Sequence, residues 1–223
     1  MSNIQKWAYS KAVGILPAAG DEYDRTMEAV NTRLYELGKI SKLLSEEEYE
    51  DLYVALCVGN LATRKANGKS SIDSQGDAAQ ESAKMFLESI PESLSMEIGL
   101  NRVKRIATLI RCTDNRKPLS SYKDIPQKLL YVINDIQNLF YADMDRLTDV
   151  EKGYINVICR NDKDVENIEM EAKKTMLDFY KWVAEEIRKD KHMYQFFFFA
   201  KYNLIAYLNL EQRIEELTRE IES

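Results

Sequence analysis

Arg188 and His192 lie four residues apart, a separation that sets two side chains on one face of a helix. A histidine placed this way can move a proton and an arginine can hold a phosphate oxygen, the pairing needed to cleave RNA through its own 2′-hydroxyl. His192 is the chain's one histidine. That excludes mechanisms with two imidazoles and His-rich zinc or di-iron centres. Cys57, Cys112 and Cys159 are widely spaced, so they offer neither a disulfide framework nor a zinc site. No thiol–histidine dyad follows from the spacing. No metal or cofactor is therefore expected. A plainer role for Arg188, Lys189, Lys191 and His192 is to complement the negative end of a helix.

Three short motifs resemble parts of known families. The Arg188–His192 pair resembles the R-x(4–6)-H motif of the all-helical HEPN ribonucleases, with one residue fewer between the two. Glu46, Glu47 and Glu50 give E-E-x-x-E, similar to the magnesium-binding pattern of MazG-like pyrophosphohydrolases. That family adds an E-x-x-D pair on a second helix, which the next helix lacks, and magnesium needs oxygens converging from more than one element. Acidic residues there also suit a helix start. Pro17-Ala18-Ala19-Gly20 resembles the phosphate loop of sugar-nucleotide nucleotidyltransferases. The second glycine and the threonine are missing, and without them the backbone cannot close on a phosphate.

The strongest local contrast is one of charge. Residues 101–118 carry Arg102, Lys104, Arg105, Arg111, Arg116 and Lys117 against a single acid, Asp114. The segment is +5 within a chain of −6, so the remainder sums to −11. Such a stretch would bind a nucleic acid or an acidic protein surface, or it would pair internally with acidic helices. It has no aromatic residue on which a base could stack.

Helices must position these residues. Eight glycines and four prolines in 223 residues leave room for long helices and too few turns for an all-β fold. Apolar residues recur at helical spacing almost throughout. Tyr23, Met27, Val30, Leu34, Leu37 and Ile40 form one stripe. Met96, Leu100, Val103, Ile106 and Ile110 form another within 95–112, and a helix is expected from Asp124 to about Leu147. Ser45 with Glu48, and Thr148 with Glu151, read as capping boxes. The amino terminus reads as an amphipathic helix. The pattern predicts an all-α, irregular multi-helix bundle of eight or nine helices with a long C-terminal helix. It favours one domain over 1–223, with a possible boundary in the loop 113–121.

Residues 195–207, QFFFFAKYNLIAY, open that last helix. Asn203, Tyr207, Leu210, Ile214, Leu217 and Ile221 continue a heptad stripe along it. Up to Tyr207 the other faces are also apolar, which predicts a surrounded, central position. From Glu211 onward they are charged, which predicts a single neighbour. Lys201, Asn203 and Asn209 break the run, so no membrane span is expected.

These features predict a cytoplasmic, non-enzymatic interaction or assembly protein. It would self-associate through Tyr207, Leu210, Ile214, Leu217 and Ile221, with Asn203 setting register. A protein partner would meet the basic segment 101–118. The alternative is a nucleic-acid-directed protein, either a binder through 101–118 or a HEPN-like ribonuclease using Arg188 and His192.

Overall fold

The computed structural model describes residues 1–15, 20–59, 61–62, 75–113, 122–148, 151–152, 155, 167–189 and 197–223. Side chains at 15, 20–25, 75–77 and 197–200 lie outside the description. The fold is all-α, without a strand among the described residues. Its helices are α1 (Asn3–Ile15), α2 (Gly20–Tyr35, continued by a π-turn Glu36–Ile40), α3 (Glu46–Val58), α4 (Gln75–Ser89), α5 (Glu92–Ile98), α6 (Leu100–Arg111), α7 (Gln127–Tyr141), α8 (Ile168–Lys189) and α9 (Phe197–Glu222). The chain resolves into two compact units, Met1–Asn134 and Asp135–Ser223, and the division falls within α7.

In the first unit α3 is the hub, packed by α1, α2, α4 and α6. Nearly its whole circumference is buried: Asp51 through Ala55, then Cys57 and Val58. A helix with apolar residues on every side needs neighbours on every side. Ser45 starts it as the sequence predicts. The Glu48 amide donates to the Ser45 hydroxyl at 3.2 Å, and the Ser45 amide donates to the Glu48 carboxylate at 2.9 Å. Helix α1 buries Ile4, Ala8 and Ala12 at steps of four, and its Trp7 meets Phe86 of α4 edge-on, ring centres 5.9 Å apart. Gly59 follows α3 where a Cβ would stand 3.1 Å from the Thr113 hydroxyl oxygen, so a side chain there is crowded.

Three expected stripes are interrupted. The π-turn at 36–40 inserts an extra residue per turn, which buries Leu37 and leaves Ile40 exposed. The helix expected over 95–112 breaks at Gly99, whose φ of +84° and ψ of 146° are glycine conformations. Met96 and Leu100 are consequently 78% and 69% exposed. The helix expected from Asp124 to Leu147 runs from Gln127 to Tyr141, is interrupted at 142–143 and is helical again over 144–148, with Asp143 accepting from the Arg146 amide at 3.1 Å.

The second unit is built on an antiparallel pair, α8 against α9. Lys173 near the start of α8 pairs with Glu220 near the end of α9 at 3.1 Å. Ala172, Met176, Tyr180, Val183, Ala184 and Ile187 of α8 are buried. On α9 the buried line runs Asn203, Ala206, Leu210, Arg213 and Leu217. It shares Asn203, Leu210 and Leu217 with the expected stripe, while Tyr207, Ile214 and Ile221 fall to its flank and are half-buried. The expectation of a fully surrounded helix to Tyr207 does not hold at its described end, because Leu204 is 52% exposed. The Thr148–Glu151 box is also not made. The Thr148 hydroxyl donates to the Met144 carbonyl, and Glu151 is taken by Arg213.

Candidate functional site

The basic segment meets the acidic one where α6 packs on α3. Asp51 is fully buried, and both of its oxygens accept from arginines. Arg102 Nε and Nη2 reach Oδ1 at 3.0 and 2.6 Å, and Arg105 Nε reaches Oδ2 at 2.6 Å. Arg102 Nη2 also donates to Glu50 at 2.5 Å, and Arg105 Nη2 donates to Glu47. The cluster therefore holds two guanidinium groups and three carboxylates. Burial pushes the Asp51 carboxyl up, against the hydrogen bonds from Arg102 and Arg105 that pull it down. The hydrogen bond from Arg105 holds Glu47 below the usual carboxylate range. Burial works against both arginine charges, yet bonds to Asp51 and the neighbouring glutamates keep both above their ordinary value.

These pairings also dispose of the two ends of the E-E-x-x-E motif. Glu46 faces Lys39, Glu47 faces Arg105 and Glu50 faces Arg102, so each carboxylate is directed at a cation. Among the described residues no group of three His, Cys, Asp or Glu side chains converges to hold a metal. Of the six basic candidates, Arg102 and Arg105 are engaged here, Lys104 is exposed and Arg111 is half-buried. Arg116 and Lys117 lie outside the described residues. Cys57 and Cys112 are buried free thiols, and burial pushes Cys112 up to about 12.

At the other sequence candidate, Arg188 is exposed near the end of α8. Its Nε and Nη2 clasp Glu185 one turn back at 2.7 and 2.8 Å. That bond holds Glu185 low and Arg188 high. His192 lies outside the described residues, as does the PAAG stretch at 17–19.

Sequence reasoning missed the most tightly held charge of the second unit. Arg213 is buried on α9 and donates to both oxygens of buried Glu151 at 2.9 and 2.6 Å. It also reaches Glu216 at 2.9 Å and Glu220 at 3.0 Å. The bond to Glu151 is the main reason its charge is held so firmly. Tyr180, buried beside this group, has its hydroxyl pushed up by desolvation and by the Glu151 charge. The available signal was an arginine three residues after Leu210, in step with the core. Asn203 is buried too, and its carbonyl oxygen accepts from Asn138 at 2.7 Å within the same unit. Asn209 donates to the Tyr141 carbonyl at 3.1 Å.

Outside that buried line α9 carries an apolar strip. Leu204 and Leu208 are 52% and 56% exposed, one turn apart on one face. Tyr207, Ile214 and Ile221 lie between this face and the buried one. No helix among the described residues is long and apolar enough to cross a membrane. No family model, curated protein or solved structure matches this chain.

Proposed function

We propose that this is a cytoplasmic, non-enzymatic helical assembly protein that self-associates through the outer strip of α9. The observation that carries the reading is the exposed pair Leu204 and Leu208, flanked by half-buried Tyr207, Ile214 and Ile221 on the longest described helix. Leu210 and Leu217 are fully buried within the unit, so they support the seam from beneath rather than enter it. Leu204 and Leu208 are already about half covered, so completing their burial against a second copy contributes about 0.8–1.5 kcal/mol each, half the full-burial value, with the edges of three further apolar side chains adding to it. Polar ends at Glu211, Glu215 and Arg219 keep the strip short and its association reversible.

For a nucleic-acid role through 101–118, Arg102 and Arg105 are already engaged, facing more carboxylates than there are guanidinium groups, which leaves Lys104 as the exposed cation of α6. Sedimentation over a wide concentration range tests the assembly reading. The intact chain is expected to dimerise, and L204E with L208E to hold it monomeric without loss of helix content. An intact chain that stays monomeric at millimolar concentration sinks the reading.

A further inference from the structure

Residues 87–100 hold six large apolar side chains and not one buried residue. Leu87, Met96 and Leu100 are exposed, and Ile90, Leu94 and Ile98 are half-buried. A run of this composition ordinarily supplies a core stripe. It fails to do so because the chain breaks twice within it. Pro91 stands as N-cap of α5 in extended backbone, and Gly99 turns the chain again at φ +84°. The seven-residue helix between the breaks buries nothing.

The charges in the run have one sign. Glu88, Glu92 and Glu97 are exposed, and no lysine or arginine occurs between 85 and 100. Glu97 accepts long bonds from Asn3 at 3.3 Å. Glu88 and Glu92 have no ion-pair partner among the described residues. Lys84, just before the run, is matched by Glu81 at 3.9 Å. Exposed Lys104, one turn past Leu100 on α6, is a single cation against the three carboxylates Glu88, Glu92 and Glu97, and an apolar run with this acidic excess is complementary to apolar residues flanked by lysine or arginine. It repels an anionic lipid surface.

We propose that residues 87–100 form the docking site for a basic amphipathic helix of a partner protein. The occupant is a helix because the site is built from helix ends and offers no strand edge for an extended peptide to extend. Leucines or isoleucines at i, i+3, i+4 and i+7 would meet Leu87, Met96 and Leu100, and the unbranched thioether of Met96 adapts to their shape. Lysines or arginines on either side would meet Glu88, Glu92 and Glu97. This surface belongs to the first unit and the α9 strip to the second, so substitutions in one leave the other's residues intact and the two readings fail separately.

The test uses the full chain and a synthetic helical peptide of leucine and lysine with all its leucines on one face. A second peptide has glutamate for each lysine. Binding is read by anisotropy, with the methionine methyl signals of the chain recorded in parallel. The expected result is binding of the lysine peptide alone, weakened by salt, with the Met96 methyl shifting and that of buried Met176 unmoved. M96S with L100S is expected to weaken binding about tenfold or more. E88K, E92K and E97K together should do the same while leaving the apolar surface intact, and L204E with L208E should change nothing. The proposal is overturned if the glutamate peptide binds equally well, or if M96S with L100S leaves the affinity unchanged. It is also overturned if those two substitutions dissociate a dimer of the chain, or if neutral phosphatidylcholine vesicles capture the surface in place of the peptide.

Discussion

Each unit builds an ion cluster around a buried charge, and the charge at the centre has the opposite sign in the two. In the first, a carboxylate, Asp51, sits between two guanidinium groups that each keep a second acid nearer the surface. In the second, a guanidinium, Arg213, sits among three carboxylates, one of them buried. The difference lies in what remains after a deletion. Without Asp51, Arg102 still has Glu50 and Arg105 still has Glu47. Without Arg213, Glu151 keeps, among the described residues, the neighbourhood of Tyr180 and is left as a charge out of water. Redundant partners make the first cluster tolerant, and a single shared donor makes the second one brittle.

The largest expected effect follows from that asymmetry. Arg213→Met strands Glu151 and should cost about 3–5 kcal/mol of unfolding free energy. Denaturant titration measures it, and a loss under 1 kcal/mol would show that Glu151 finds other solvation. Replacing Glu151 and Arg213 together with leucines should restore much of the loss, since a buried pair can be exchanged for apolar residues at little cost. Asp51→Ala should cost less, about 1.5–3 kcal/mol for hydrogen bonds to charged groups. If it equals or exceeds Arg213→Met, the contrast between the clusters is wrong.

Acid sharpens the comparison. In the second unit Glu216 is lowered chiefly by bonds from Gln212 and Arg213; burial by itself would raise Glu220, and Lys173 and Arg213 together outweigh it and hold it low. A lowered carboxyl contributes stability that is present above its unfolded value of about 4.3 and is lost as pH falls through its folded value. Asp51 has the opposite sign. Its raised carboxyl favours the fold at low pH, and that contribution declines as pH rises from its unfolded value through its folded one. Where α3 meets α6, Glu47 is held low by Arg105 and acts like Glu216 and Glu220, so Asp51 offsets that loss in part. Between pH 5 and 3, amide hydrogen exchange relative to its intrinsic rate should therefore accelerate more in α8 and α9 than at that contact. Equal acceleration in both places counts against the assignment. The smallest effect is expected at Arg188→Ala, with no resolvable change in the denaturation midpoint, since its bond to Glu185 is an exposed pair one turn apart. A clear drop in that midpoint would mean Arg188 does more than join a solvated face.

What could be read in the sequence was local. The Ser45–Glu48 box, the buried steps of α1 and the helical class all depend on residues within a turn or two of one another, and spacing alone specifies them. The candidate sites were less legible. Arg102 and Arg105 stood out by charge, yet their partners lie more than fifty positions away, and no rule of spacing links 51 with 102 or 105. On α9 the heptad was read from apolar residues only. The buried line passes through Ala206 and Arg213 instead, because a distant glutamate makes burying a guanidinium tolerable. The missed breaks at 36–40 and Gly99 have a similar origin. Propensity does not forbid a continuous helix there, and packing around α3 selects the interrupted one.

By itself, then, the sequence determined that this chain is helical and that one helix begins at Ser45, because capping and periodicity are short-range properties of the backbone. Only the tertiary structure decided which face of each helix is covered, which charges are spent on one another, and which apolar residues are left outside. Those outcomes depend on which remote groups desolvate each side chain, and that information exists only once the helices are packed.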